Sequence, residues 1–282
     1  MFSKMENLGV KMTMGFPAKI FATLLKLSPS SFQNKLWKWW YQKLSKSHNK
    51  KDFRFMNYGY IDSVPPDLEP DDEPYRLFIQ LYEMNIRCAQ LNDKEVLEVG
   101  SGRGGGASWI AKSLHPSSLI GVDFSSEAVS LCHNWYNHQK NLRFIEGNAE
   151  NLPFKNSSFD VVYNVESSHC YGNMSKFVEE VFRVLREGGS FYWTDFRDDK
   201  SMQSTNQIFL DSGFTIVSKR DITNEVLDAL DSINDSKKER IGELVPKSIR
   251  RSFETFAGVE GTPVYDAFKN QKLKYFCFQM TK

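Results

Sequence analysis

The sequence predicts an α/β domain built on a doubly wound, mostly parallel sheet, and three observations support that reading. From residue 95 onward, short apolar runs alternate with helical stripes, and strands separated by helices imply a parallel sheet covered on both faces. A glycine-rich run, Gly100 to Gly106, stands between the first of those strands and the first of those helices. The chain has 282 residues, 40% of them apolar and 25% charged, with 17 Gly and 10 Pro. This suits one large domain, or a core with a smaller companion. It excludes a disordered, collagen-like or coiled-coil chain.

Taken in order, residues 95–99 read as the first strand, 105–114 as a helix and 119–123 as the second strand. Ser125 is placed to cap a helix whose Val129, Cys132 and Tyr136 share one face. Residues 142–146 and 159–165 are the third and fourth strands. Over 174–186, Met174, Phe177, Val178, Val181, Phe182 and Leu185 recur at helical spacing, and Gly188-Gly189 ends the helix. A strand at 190–195, a short helix near 202–211 and a strand at 214–220 come next. A polar, helical stretch fills 223–262, and 273–280 closes the chain as the seventh strand. The organisation is an arm over 1–62 and a main domain over 63–282 with a helical insertion at 223–262.

Charge is unevenly placed. The chain carries a net +1, yet residues 1–51 hold ten lysines against one acid, Glu6, a net +9 that leaves −8 for the rest. A basic arm on an acidic body gives only the arm an anionic surface as partner and disfavours nucleic acid. Within it Leu36, Trp37, Trp40, Tyr41 and Leu44 fall at helical spacing, interleaved with Lys35, Lys38, Lys43 and Lys46. Two readings stand: a helix in peripheral contact with a membrane or gating an apolar pocket, and a helix packed on the main domain with solvated lysines. Residues 14–27 imitate a signal peptide, but Lys19 and Lys26 interrupt them and no small-residue cleavage site follows. The longest apolar runs are broken before the length of a membrane span. Cys88, Cys132, Cys170 and Cys277 are scattered with no CxxC pair, which argues against a disulfide framework or a zinc site and fits a reducing compartment. The expected location is cytoplasmic, with membrane association through the arm as the variant.

The glycine run sets the first chemistry. Glycines there let the backbone turn sharply and approach a nucleotide-like ligand. Gly100, Gly102 and Gly105 satisfy the dinucleotide pattern, whereas Gly100, Gly102 and Gly104 satisfy the tighter GxGxG of S-adenosylmethionine (SAM) enzymes. Asp123, at the end of the second strand, suits either, since a carboxylate there accepts from both ribose hydroxyls. Glu98 favours SAM. A pyrophosphate avoids a neighbouring anion, whereas an ammonium and a sulfonium attract one. The segment from Glu146 through Asn148, Ala149 and Leu152 to Phe154 is similar to the GDAxxLPF segment of class I SAM methyltransferases, with Asn148 in place of the aspartate that accepts from the adenine amino group. An amide oxygen still accepts that bond, without charge assistance.

Ligands of such sheets sit beyond the carboxyl ends of the strands, so the segment Asn164-Val165-Glu166-Ser167-Ser168-His169-Cys170-Tyr171 faces the reacting end. His169 is the candidate general base, and Glu166 either orients it or holds the acceptor. Each has a plainer alternative, a loop cap for His169 and a backbone partner for Glu166. No N/D-PPY run follows this strand, and Cys170 follows His169 rather than a proline, unlike the nucleophile of RNA cytosine-5 methyltransferases. Asn164 or Glu166 with Asp195 is the nearest approach to a metal cluster, and no metal is expected. The aromatics from Phe53 to Tyr60, Tyr58 among them, suit a segment folded over a cationic cofactor, or plain packing beside Gly59.

Residues 37–41, 56–60, 96–106, 147–154, 165–171 and 258–262 together resemble mycobacterial phthiotriol/phenolphthiotriol dimycocerosate methyltransferases. The likeness runs from about residue 37 to the end, with the NVESSHCY and GVEGT stretches more specific than the glycine loop. It implies the class I methyltransferase (Rossmann-like) fold, a seven-stranded sheet with an antiparallel last strand and a helical cap. It also implies SAM as cofactor, with S-adenosylhomocysteine as product. The residues it implies at the cofactor are Tyr58, Glu98, Gly100, Gly102, Gly104, Asp123, Phe124, Asn148, Ala149 and Asn164. The implied reaction is O-methylation of a hydroxyl on a long-chain lipid, or more broadly a small-molecule acceptor. Three other functions remain open: C- or N-methylation of an apolar metabolite such as a sterol or polyketide, an NAD(P)-dependent oxidoreductase on the same loop, and a non-catalytic lipid-binding module.

Overall fold

A computed structural model describes residues 54–245 and 247–282. Seven strands form one sheet: β1 (Glu95–Val99), β2 (Ser118–Asp123), β3 (Leu142–Glu146), β4 (Phe159–Val165), β5 (Leu185–Arg197), β6 (Thr215–Asp221) and β7 (Lys274–Thr281). Their order across the sheet is β3-β2-β1-β4-β5-β7-β6. β1 to β5 run parallel, and β7 lies antiparallel between β5 and β6. All seven expected strands are present, displaced by at most a residue or two except β5, and the expected antiparallel last strand is borne out. The order turns back between β1 and β4, which makes the carboxyl ends of those strands the crevice of the molecule.

Both faces of the sheet are covered, which explains why its central strands read as continuous apolar runs rather than alternating ones. On one face Val96, Val161 and Tyr163 pack under α1 (Arg76–Ile86), α2 (Gly105–Ser113) and α3 (Ser126–Tyr136); on the other, Leu97, Val162 and Phe191 pack under α4 (Met174–Val184) and α5 (Asp199–Asp211). Phe177, Val178 and Val181 of α4 are fully buried, as their spacing predicts, and Val184, outside the expected stripe, is buried with them. Short polar side chains start the helices by accepting orphan backbone N–H groups. Ser125 Oγ accepts from Ala128 N at 3.2 Å, Asn173 Oδ1 from Lys176 N at 3.1 Å and Asp198 Oδ1 from Ser201 N at 2.9 Å.

Two expectations shift. The helix expected to end at the glycine pair stops at Val184. Leu185 is already extended (φ −71°, ψ 141°) and pairs with Phe159, so β5 begins ten or so residues before its buried end and Gly188 turns inside it. The helical stretch at 223–262 is three helices, α6 (Thr223–Ser232), α7 (Asn234–Leu244) and α8 (Lys247–Phe256), and a fourth, α9 (Pro263–Lys269), follows with proline in its first turn. These four helices are the cap over the carboxyl edge of β4 and β5.

The chain enters the described region as a strap that is already part of the core. Phe55, Tyr58 and Tyr60 are buried. Asn57 Nδ2 donates to Phe78 O at 3.0 Å, Tyr60 N to Leu77 O at 3.0 Å and Ile61 N to Glu225 O at 3.2 Å. The Leu36–Leu44 stripe and the rest of the basic arm lie outside the described residues. Among the described residues, no helix is long and apolar enough to cross a membrane.

Candidate active site

β1 ends in the turn the glycine loop was expected to make. Gly100 has φ +80°, and a Cβ there would stand 2.2 Å from Ser167 Oγ, so the position admits only glycine. At Gly105 the constraint is approach rather than dihedral. Its N–H donates to Arg54 O at 3.1 Å, and a Cβ would meet that carbonyl oxygen at 2.5 Å. The strap is therefore seated on the start of α2. Between loop, strap and the ends of β1, β2 and β4 lies a cavity with about 1360 Å³ of atom-free space, its open mouth included.

Asp123 ends β2 on the cavity wall. Its Oδ2 accepts from Gly102 N at 2.7 Å and its Oδ1 from Ser125 N at 2.9 Å. Each oxygen thus holds one loop N–H, which fixes the carboxylate on the wall. Phe124 stands beside it, 37% exposed. Gly147, Asn148 and Ala149 line the next part of the wall. Asn148 Oδ1 already accepts from Glu150 N at 2.9 Å, so one lone pair is left for a ligand amino group. Gly100, Gly102 and Tyr58 also line the cavity; Gly104 lies just behind the lining, where a Cβ would strike Phe144 at 2.6 Å. A tight glycine-rich turn, a carboxylate at the end of β2 and an aromatic at its side fit a cationic adenosyl ligand.

Two expected contacts do not reach that wall. Glu98 alternates away from it, onto the α1 face of the sheet, where it is wholly buried against Tyr163 and Tyr82. Tyr163 OH donates to its Oε2 at 3.2 Å, and Oε1 has no partner. Burial lifts its pKa to about 8, with the Asp123 charge adding to the rise against the relief from Tyr163 and Tyr82. Glu98 is thus a neutral acid at pH 7, and charge attraction falls to Asp123. Asn164 is also fully buried; its Nδ2 donates to Val99 O at 2.8 Å and to Ser167 Oγ at 2.6 Å, holding the post-β4 loop to the glycine turn.

That loop carries the reactive groups. His169 sits in a 3-10 turn (Ser168–Cys170) on the cavity wall. Its Nδ1 is 2.8 Å from Asp195 Oδ1, and its backbone N–H donates to Asp195 Oδ2 at 2.9 Å. Asp195 is fully buried at the end of β5, also takes the Ser168 hydroxyl at 2.7 Å, and faces Arg197 at 3.2 Å. Burial pushes Asp195 up, but His169 and Arg197 outweigh it and hold the carboxyl well below its usual range. Burial likewise disfavours the charged imidazole, while Cys170 and Asp195 outweigh it and raise His169 above its ordinary value. Glu166 turns in the left-handed region (φ +46°) and accepts from Tyr58 N through Oε1 at 2.7 Å. Burial raises it to about 7. Tyr58 OH donates to Phe256 O at 3.1 Å, so strap, loop and the end of α8 meet over the cavity.

The sequence signalled His169 and Glu166 but not the partner that matters. Asp195 entered only as a weak metal ligand; an acid closing the fifth strand, level with the loop after the fourth, was the available sign. Ser167, Tyr171 and Arg103 on the wall lie inside segments the sequence singled out but had no role assigned to them, and Phe256 had no motif signal.

Comparison with known proteins places these features in context. A methyltransferase domain model matches residues 97–193. The phthiotriol/phenolphthiotriol dimycocerosates methyltransferase of Mycobacterium leprae (strain TN) is 34% identical over 94% of this chain and 98% of its own length. The fatty-acid O-methyltransferase of Mycolicibacterium smegmatis is 34% identical over 80% of this chain and 83% of its own. Among solved structures, the geranyl diphosphate C-methyltransferase from Streptomyces coelicolor A3(2), bound to Mg2+, geranyl diphosphate and S-adenosyl-L-homocysteine, superposes with a TM-score of 0.64 at 15% identity, covering 86% of this chain and 97% of that one.

Asp123→Ala is expected to weaken S-adenosylhomocysteine binding about tenfold or more, because two charge-assisted hydrogen bonds are removed. Isothermal calorimetry giving an unchanged Kd rules the ribose role out. Glu98 gives a stability test with a defined sign. Its folded pKa of about 8 exceeds the unfolded value of 4.5, so its contribution is fully present below pH 4.5 and is lost as pH rises to about 8. Glu98→Gln keeps an acceptor for Tyr163 and cannot ionise. Relative to wild type it should gain stability steadily across that window, by a few kcal/mol at about pH 8. A difference that does not vary with pH in urea titrations refutes the neutral buried acid.

Proposed function

Because the chain belongs to the phthiotriol/phenolphthiotriol dimycocerosates methyltransferase family of SAM-dependent methyltransferases, we propose that it methylates a hydroxyl of a long-chain lipid, with His169 as the base. The observation that carries this reading is the 2.8 Å contact between His169 Nδ1 and the buried Asp195, on the wall of the cavity that begins at the glycine turn. With Nδ1 tied to a carboxylate, Nε2 is the nitrogen left to take a proton. An aliphatic hydroxyl is a poor nucleophile, so a base positioned at the acceptor end supplies what the donor alone does not.

SAM, when bound, supplies a methyl on a positively charged sulfur. In this proposal the chain's own residues do four things. Asp123 and the loop hold the adenosyl end. Asp195 fixes the imidazole plane and stabilises its protonated form. Glu166 ties the strap across the loop through Tyr58 N. Tyr58, Met56 and Phe256 keep water from the reacting end, where alignment supplies much of the acceleration. The relatives support the acceptor class: one is named for phthiotriol and phenolphthiotriol dimycocerosates and another for O-methylation of fatty acids. Within this reading, the main domain with its cap does the chemistry and the basic arm brings it to a lipid surface.

His169→Ala should lower turnover roughly 10²-fold or more while leaving SAM affinity nearly unchanged. Turnover within a factor of about two of wild type removes His169 from the mechanism. A base must be neutral to act, and Cys170 and Asp195 raise the imidazole. The acid limb of kcat/KM should therefore lie above the ordinary imidazole pKa of about 6.5, with activity climbing into alkaline pH. Asp195→Asn should move that limb toward lower pH and lower the plateau; a limb that stays put contradicts the pairing.

A further inference from the structure

Methyl transfer to an outside acceptor leaves one nucleophilic side chain on the cavity wall unused. Cys170 follows His169 in the same 3-10 turn, and both line the cavity. The thiol lies within hydrogen-bonding and electrostatic reach of the imidazole. The imidazole is in turn fixed by Asp195 at 2.8 Å. A thiol, a base beside it and a buried carboxylate orienting that base form the arrangement that activates a sulfur nucleophile. The wall around it is largely apolar, with Met56, Tyr58, Val165 and Phe256 contributing. We propose that Cys170 is a nucleophilic thiol that captures soft electrophiles admitted to this cavity, with apolar α,β-unsaturated carbonyl compounds as the class it takes.

The charges around the turn favour this assignment. From β5, Asp195 is matched by Arg197 at 3.2 Å and by His169, so its negative charge is already answered. From the loop after β4, Glu166 is raised to about 7 and bears only part of a charge at neutral pH. From the strap and β7, Tyr58 and Tyr275 have phenols raised well above their usual range and stay neutral. Lys237 of α7 adds positive potential at Glu166 and binds Ala257 O at 2.9 Å. The cation next to the sulfur is therefore His169, which accepts the thiol proton. The addition balances without an oxidant or a leaving group. Sγ bonds to the β-carbon, the π pair moves onto the α-carbon and carbonyl, and the proton held by His169 returns to the α-carbon. The product is a saturated thioether that fills the acceptor end of the cavity.

This inference goes beyond the acceptor reading and does not depend on which atom receives a methyl group. The test is site-resolved alkylation of the full chain by iodoacetamide between pH 6 and 9, read by peptide mass spectrometry. Cys88, exposed on the surface, serves as the internal reference. Although only partly exposed, Cys170 should react about tenfold faster than Cys88 at pH 6.5. In His169→Ala that advantage should vanish. With trans-2-nonenal, the adduct should appear on Cys170 before Cys88. Equal or slower alkylation of Cys170 in the wild-type protein overturns the proposal, as does a profile unchanged in His169→Ala. The wild-type profile decides alone if the variant does not fold. No methyl transfer is read, so failure here leaves the lipid-hydroxyl reading untouched, and an inactive acceptor assay leaves Cys170 untouched.

Discussion

A single buried carboxylate organises the reacting half of the molecule. Asp195 ends β5 with no exposure at all, where an ionised group survives only if its lone pairs are answered. The answers come from the loop after β4 and from β5 itself: the Ser168 hydroxyl, the His169 N–H and ring, Phe196 N at 2.9 Å and Arg197. Ser168 in turn accepts from Trp193 Nε1 and Arg197 Nη2, each at 2.8 Å. Once the acid is buried, the conformation of residues 166–170 has few alternatives. The positive φ of Glu166 is then strain that the network imposes, not a free choice of the backbone.

The cofactor half depends on a different economy, small residues and backbone donors. Gly100, Gly102 and Asp123 create a concave edge, and the strap closes it from above by bonding Gly105 N. The halves meet where Tyr58 N of the strap donates to Glu166, where Ser167 Oγ donates to Val99 O at 3.3 Å, and where Asn164 Nδ2 reaches both Val99 O of the glycine strand and Ser167 Oγ of the reactive loop. A residue expected to touch the cofactor thus acts one layer below it.

Most of the architecture was legible in the sequence because period and punctuation agree. The strands carry apolar runs, α4 carries an apolar stripe along its three turns, and Ser125 sits where an N-cap is needed. What was not legible follows from geometry that only tertiary contacts set. Strand alternation sends Glu98 to the α1 face, so an acid two residues before Gly100 became a neutral core group instead of a steering charge. The end of α4 was decided by Leu185 pairing with Phe159, which no local rule announces. Asp195 was visible as an acid closing a strand, but its distance to His169 depends on how the loop after β4 folds back across β5, a contact spanning 26 residues.

The neutral state of Glu98 bears on how a cation is chosen at this edge. An ionised Glu98 behind the loop would favour any cation by long-range attraction, with little discrimination. With Glu98 uncharged, the anionic potential is left to Asp123 on the wall, together with the partly ionised Glu166 about the reacting end. Charge then sits at two positions fixed by hydrogen bonds rather than spread behind the glycine turn. Asp123 is locked by Gly102 and Ser125, Glu166 by Tyr58 N. Burying one carboxylate and pinning two others therefore keeps the anionic field at this edge local.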